Sequence, residues 1–178
     1  MVDILREIEG FPESYPTAPE GLSEDAQALN AAALWQRLEF WITHRWGERS
    51  VTWIVEGPGD WLPRLKPATV DTFEVWKDGA WKTTVVEDGP LCYVLQPETY
   101  RITATVGADT DPPAGVLEAF QRLAEYLADD AHIGGVVARS GSVDIGGAMT
   151  VSAERSPKWQ AQALHYSGAA DLLRPWRV

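Results

Sequence analysis

Three histidines, one cysteine and 26 acidic side chains are the groups through which this chain could do acid–base, nucleophilic or metal chemistry. His44, His132 and His165 are far apart, and none has a second histidine at the helical spacing that brings two imidazoles onto one metal. His44 reads instead as a partly exposed interface or capping residue. Cys92 stands among apolar neighbours in a strand-like run, where a thiol serves as a small core filler rather than a nucleophile. A single cysteine permits no internal disulfide, which suits a reducing compartment. Gly141-Ser142 lacks the strand–turn–helix setting of a nucleophile elbow. Gly134-Gly135 and Gly146-Gly147 are not followed by the Lys-Ser/Thr of a phosphate loop. Glu87-Asp88 and Asp129-Asp130 are neighbours in sequence, not two carboxylates held across a substrate. These residues point to no catalytic, cofactor or metal site, and the chain reads as a non-enzyme.

Nine tryptophans offer a different chemistry. Trp35, Trp41, Trp53 and Trp76 fit apolar stripes and are expected in the core. Trp61, Trp76 and Trp81 could instead form a stacking platform for sugar rings, as in a carbohydrate-binding module. Tryptophan and arginine also anchor protein interfaces. That makes the run Leu172-Leu173-Arg174-Pro175-Trp176-Arg177 conspicuous, because a short apolar helix signal leads directly into an aromatic flanked by two cations. Such a segment either folds back onto its own core or docks into a partner.

The formal net charge of −11 argues against a surface that grips duplex DNA, since phosphate contact needs a basic patch. No apolar run approaches the length of a membrane span. The residues after Met1 include Asp3 and Glu7, the wrong charge for a secretory signal. A soluble chain made in a cytoplasm is the expectation.

The elements that must position these residues follow from periodicity. Residues 1–21 carry prolines at 12, 16 and 19 and five acids, and read as an extended acidic arm with at most a helical turn around Ile4–Ile8. Ser23 is a suitable N-cap for a helix over 23–46, with Ala26, Leu29, Ala33, Leu34, Leu38, Trp41 and Ile42 on its apolar stripe and Gly47 as its stop. A strand block over 50–106 follows. In it Val51, Trp53 and Val55 alternate with polar neighbours, Asp78-Gly79 turns a hairpin, and Trp76 should stand opposite Trp81. Pro113 can open a second helix over 113–130. Residues 132–156 read as a mobile loop or loose hairpin, and 157–178 as a C-terminal helix and tail weakened at Gly168. Strands in one block between helices make the class α+β: a helical bundle with an inserted block of antiparallel strands and an extended C-terminal helix and tail.

This layout, with the strand Val51-Thr52-Trp53-Ile54-Val55-Glu56-Gly57, the segment Trp61-Leu62-Pro63, the hairpin Val75–Trp81, the strand Tyr100–Gly107 and the ending Leu172-Leu173-Arg174-Pro175-Trp176-Arg177, resembles the head–tail connector (adaptor, or head-completion) proteins of long-tailed phages and gene transfer agents. The resemblance spans residues 22–178, as one connector domain behind the 1–21 arm. It implies a structural virion protein with no catalytic site. Such a protein forms a homo-oligomeric ring, usually of twelve copies, between the portal and the stopper or tail-terminator proteins. It lines a channel through which DNA passes without specific contact, with no membrane partner and with the host cytoplasm as its place of assembly. On this resemblance Leu172, Leu173, Arg174, Trp176 and Arg177 would meet the portal. His44, Trp46 and Trp159 would lie between subunits.

Overall fold

The computed structural model describes residues 2–133, 140–144, 150–154 and 160–177, with side chains over 2–129 and 160–177. Two compact units share the chain. Unit 1 is Met1–Pro16 with Thr43–Asp111, and unit 2 is Thr17–Ile42 with Pro112–Val178. The class is mixed α and β with antiparallel sheets. Among the described residues no helix is long and apolar enough to cross a membrane.

Unit 1 is built on strands β1 (Asp3–Glu9), β2 (Arg49–Glu56), β3 (Gly59–Trp61), β4 (Ala68–Lys77), β5 (Ala80–Thr84), β6 (Glu87–Asp88), β7 (Tyr93–Leu95) and β8 (Thr99–Val106). Five of them form one antiparallel sheet in the order β1-β2-β8-β4-β5, and β3-β7-β6 form a smaller one. The period-two pattern does what it should: Tyr100, Ile102, Ala104 and Val106 of β8 are buried on one face beside Val51, Trp53 and Val55 of β2. Trp53 pairs with Ile102, which in turn pairs with Phe73. Trp61 and Tyr93 come from the small sheet and join these rings, with Trp61 centroids 5.5 Å from Trp53 and 5.9 Å from Tyr93. At the hairpin tip Asp78 and Gly79 both take positive φ, 54° and 76°, the geometry a two-residue turn of the primed type requires. Trp76 accordingly faces Trp81.

The first residues are not a free arm. Ile4 and Ile8 have helical spacing, yet Asp3–Glu9 is an edge strand paired antiparallel with β2, with a register shift between Ile4 and Arg6. Side chains on β1 fix it in place. Glu7 accepts from the indole N–H of Trp53 at 2.6 Å. Glu9 takes a two-pronged bond from Arg45, at 2.6 and 3.1 Å, and a third from Arg49 at 3.2 Å. Arg45 and Arg49 are themselves buried, and Arg49 also donates to the Trp46 and Gly47 carbonyls.

Unit 2 holds α1 (Glu24–Gln27), α2 (Ala31–Trp41), α3 (Ala114–Ile133), the strands β9 (Ser140–Asp144) and β10 (Thr150–Glu154), α4 (Ala163–Tyr166) and α5 (Ala169–Leu172). The single helix expected over 23–46 is two. Ser23 does cap the first, accepting from the Ala26 amide, but Asn30 then caps a second by accepting from the Ala33 amide. An asparagine that bonds the backbone ahead of it favours a new N-terminus over helix continuation. The second helix ends at Trp41, where Ile42 turns extended, so His44 and Trp46 lie outside it. Trp46 instead bridges to Ala108 in unit 1. The later helix forms as expected and runs to Ile133, with Val116, Phe120, Leu123 and Ala124 fully buried and Trp35 tilted on Phe120 at 4.9 Å. Within the 132–156 stretch, β9 and β10 pair as an antiparallel hairpin. Its remaining positions 134–139, 145–149 and 155–156 lie outside the described residues.

The C-terminal helix and tail expected over 157–178, of which 160–177 are described, form short helical pieces broken at Gly168. Gly168 at φ 75° separates two four-residue helices, and Arg174–Trp176 closes as a 3₁₀ turn.

Candidate functional site

The arginine–tryptophan segment folds back within unit 2. Ala169 and Leu173 are both 0% exposed, so this part of the chain is anchored by apolar burial. Gly168 makes the anchoring possible, because its left-handed backbone turns the chain between α4 and α5 at a φ that a side chain rarely adopts. Beyond the anchor, the ring of Trp176 packs over Gly115 at the start of α3, where a β-carbon would be 3.6 Å from its edge. The Arg177 guanidinium stacks 4.3 Å above the Trp41 ring, a cation–π contact. His165 meets the same indole edge-on at 4.9 Å. Arg174 points outward and reaches Asp171 at 3.5 Å, with both side chains about four-fifths exposed, a solvent-screened pair of little energetic weight.

A groove of about 350 Å³ runs beside this segment. One wall is a helical stripe of α2, Ala33, Arg37, Phe40 and Trp41, at three- and four-residue steps. Leu164 lies across from it. Phe40 is 76% exposed, an unusual state for a phenylalanine. The indole N–H of Trp41 is buried without an acceptor among the described residues.

The residues singled out from sequence fall out unequally. Arg174 and Arg177 are exposed, Leu172 and Trp176 are half-buried, and Leu173 is core. Leu173 therefore corrects the expected contact set: its side chain holds the segment down and offers no surface. Trp46 is 1% exposed, in unit 1, with the His44 ring tilted on it at 4.6 Å, so it too is packed inside the chain and not on a face. His44 is half-buried, and its pKa is lowered, first by loss of solvent and then by the neighbouring Arg45 charge. Trp159 lies outside the described residues. Sequence reasoning passed over Arg37 and Phe40. The available signal was that Phe40 stands off the Leu34–Leu38–Trp41 stripe, where an aromatic has no core to join.

The tryptophans considered as a sugar platform divide in the same way. Trp61 is 3% exposed inside the unit 1 aromatic cluster. Trp76 and Trp81 do meet on the other face of the sheet, at 5.1 Å but with planes 63° apart, so they present an edge and not a flat stack. Arg101 lies 4.9 Å over Trp81 and is clasped by Glu74 at 2.5 and 2.7 Å. That bond holds the Glu74 carboxyl below the usual carboxylate range.

Groups suited to chemistry remain scattered. Among the described residues no three histidine, cysteine or carboxylate side chains are gathered as a metal site. The Cys92 thiol has its pKa pushed up by desolvation and then by Asp60 and Asp88, which disfavours the thiolate. Set against known proteins, the chain matches no family model, no curated sequence and no solved structure.

Proposed function

We propose that this chain is a structural head–tail connector, one subunit of a homo-oligomeric ring, a dodecamer, seated between a portal and the stopper or tail-terminator ring of a virion. The observation that carries the reading is the anchored C-terminal segment. Leu173 supplies the buried foot, Trp176 packs over Gly115 and Arg177 stacks on Trp41, with Arg174 exposed beside them. Preorganised arginine and tryptophan suit an interface that must form without an ordering cost. In the assembled ring the helices of unit 2 would bundle around the channel. A net charge of −11 would let DNA pass without sticking, since like charge disfavours phosphate contact. In this reading the portal contact rests on Arg174, Trp176 and Arg177, with Leu172 at its margin, and His44 and Trp159 remain for the contacts between subunits.

The deciding experiment is composition. The chain is tagged, DNA-filled particles are purified from producing cells, and its amount is measured by mass spectrometry against the portal. A near one-to-one ratio supports the ring, and absence from particles overturns the reading.

The half-exposed Trp76 ring leaves a second reading, a carbohydrate-binding module using Trp76 and Trp81 beside Arg101 and Glu74. It requires tryptophan emission to change on titration with polysaccharide, and an unchanged spectrum removes it.

A further inference from the structure

The α2 groove carries an inference of its own. Its charged surroundings are of one sign. Arg37 lines it and Arg177 caps the Trp41 wall, while among the described residues no carboxylate lines it. Neither arginine has an ion-pair partner among the described residues, although the chain holds 26 acids against 15 bases. Two guanidinium groups without an ion-pair partner among the described residues thus stand beside one groove. The exposed Phe40 ring and Leu164 are apolar surfaces flanking the groove. A groove with cations at one side and an exposed aromatic at the other fits a carboxylate a helical turn away from a large aliphatic side chain.

We propose that this groove is a docking site for an acidic amphipathic helix of a partner protein. A glutamate or aspartate of that helix would pair with Arg37 and Arg177. A leucine- or isoleucine-sized residue on the same face would cover Phe40 and Leu164. Amphipathic helices bind apolar grooves through anchors at three- and four-residue spacing, and the α2 stripe has that spacing itself. Charge-assisted bonds from arginine supply orientation, and the apolar anchor supplies burial. The docking site does not depend on the connector reading. Absence from particles would leave it standing, and failure of peptide binding would leave the ring role standing.

The probe is a short capped helical peptide of alanine, leucine and glutamate, with leucines along one face and glutamates flanking it. A control carries lysine for every glutamate. Calorimetric titration of the full chain should show saturable binding of the acidic peptide and none of the lysine peptide. Arg37→Glu with Arg177→Glu should weaken binding by about tenfold or more. Raising salt should weaken binding of the unaltered protein, which tests the charge contribution even where a double variant folds poorly. Equal binding of both peptides, no binding of either, or affinity indifferent to salt overturns the proposal.

Discussion

Substituting Leu173 by alanine asks whether the C-terminal segment is part of the fold or a tail lying on it. Leu173 is 0% exposed, so its side chain is fully withdrawn from water. Leu→Ala removes three carbons. At roughly 0.8 kcal/mol for each buried methylene, the transfer contribution is about 2.4 kcal/mol. The hole left behind adds to this, because packed surroundings relax only in part, and brings the expected loss to about 3–5 kcal/mol. In a unit of roughly ninety residues each kcal/mol shifts the midpoint by about 4–8 °C, so the fall should exceed about 10 °C. The assay is urea and thermal unfolding followed by far-ultraviolet circular dichroism, with hydrogen exchange at the Ala169–Arg177 amides as a local readout. Arg174→Ala is the control. Its side chain is 82% exposed with a screened partner, so its effect should stay within about 0.5 kcal/mol. If Leu173→Ala matches this control, the segment is not anchored and its preorganisation, on which the portal contact was argued, fails. The same burial implies that truncation after Ser167 would expose core surface and destabilise unit 2.

Two further outcomes concern unit 1. Glu9→Gln keeps the shape of the side chain but leaves the buried Arg45 and Arg49 without their shared carboxylate. Breaking a buried pair in this way should cost about 3–5 kcal/mol by urea titration, whereas a loss below about 1 kcal/mol would mean that solvent already reaches the site. His44 has a pKa lowered in the folded state by burial and by Arg45. The unfolded chain therefore binds the proton first as pH falls below about 6.5, and stability declines from there down to the lower folded value. His44→Gln should flatten the stability–pH slope in that window, and an unchanged slope would assign it to other groups.

Legibility differs from element to element for physical reasons. The β8 alternation and the Asp78-Gly79 hairpin, with Trp76 against Trp81, could be read directly, because period and turn chemistry are local and agree with the sheet around them. So could α3, where a buried stripe and a preceding proline coincide. The first strand could not. The segment reads as extended, but its pairing with β2 and the bonds that Glu7 and Glu9 accept from Trp53, Arg45 and Arg49 lie some forty residues away, where no local pattern marks them. The break at Asn30 was legible in principle as a capping residue inside an apolar run, but the stripe reads straight through it. The site was half legible. Leu173, Trp176 and Arg177 stood out by composition, but Arg177 meets Trp41 across most of the chain's length, and no local pattern marks that contact.

The strand order has a consequence for the growing chain. The centre of the sheet, β8, is the last of its five strands to be made, and β2 and β4 on either side both depend on it. While residues up to about 98 are emerging from the ribosome, the sheet can exist only as two hairpin-like fragments, β1 with β2 and β4 with β5. Each fragment exposes a tryptophan- or valine-rich inner strand along an edge that will later be covered. A pause in synthesis before Thr99 would hold the chain at its stickiest point, and the arrival of one eight-residue strand would close both edges together.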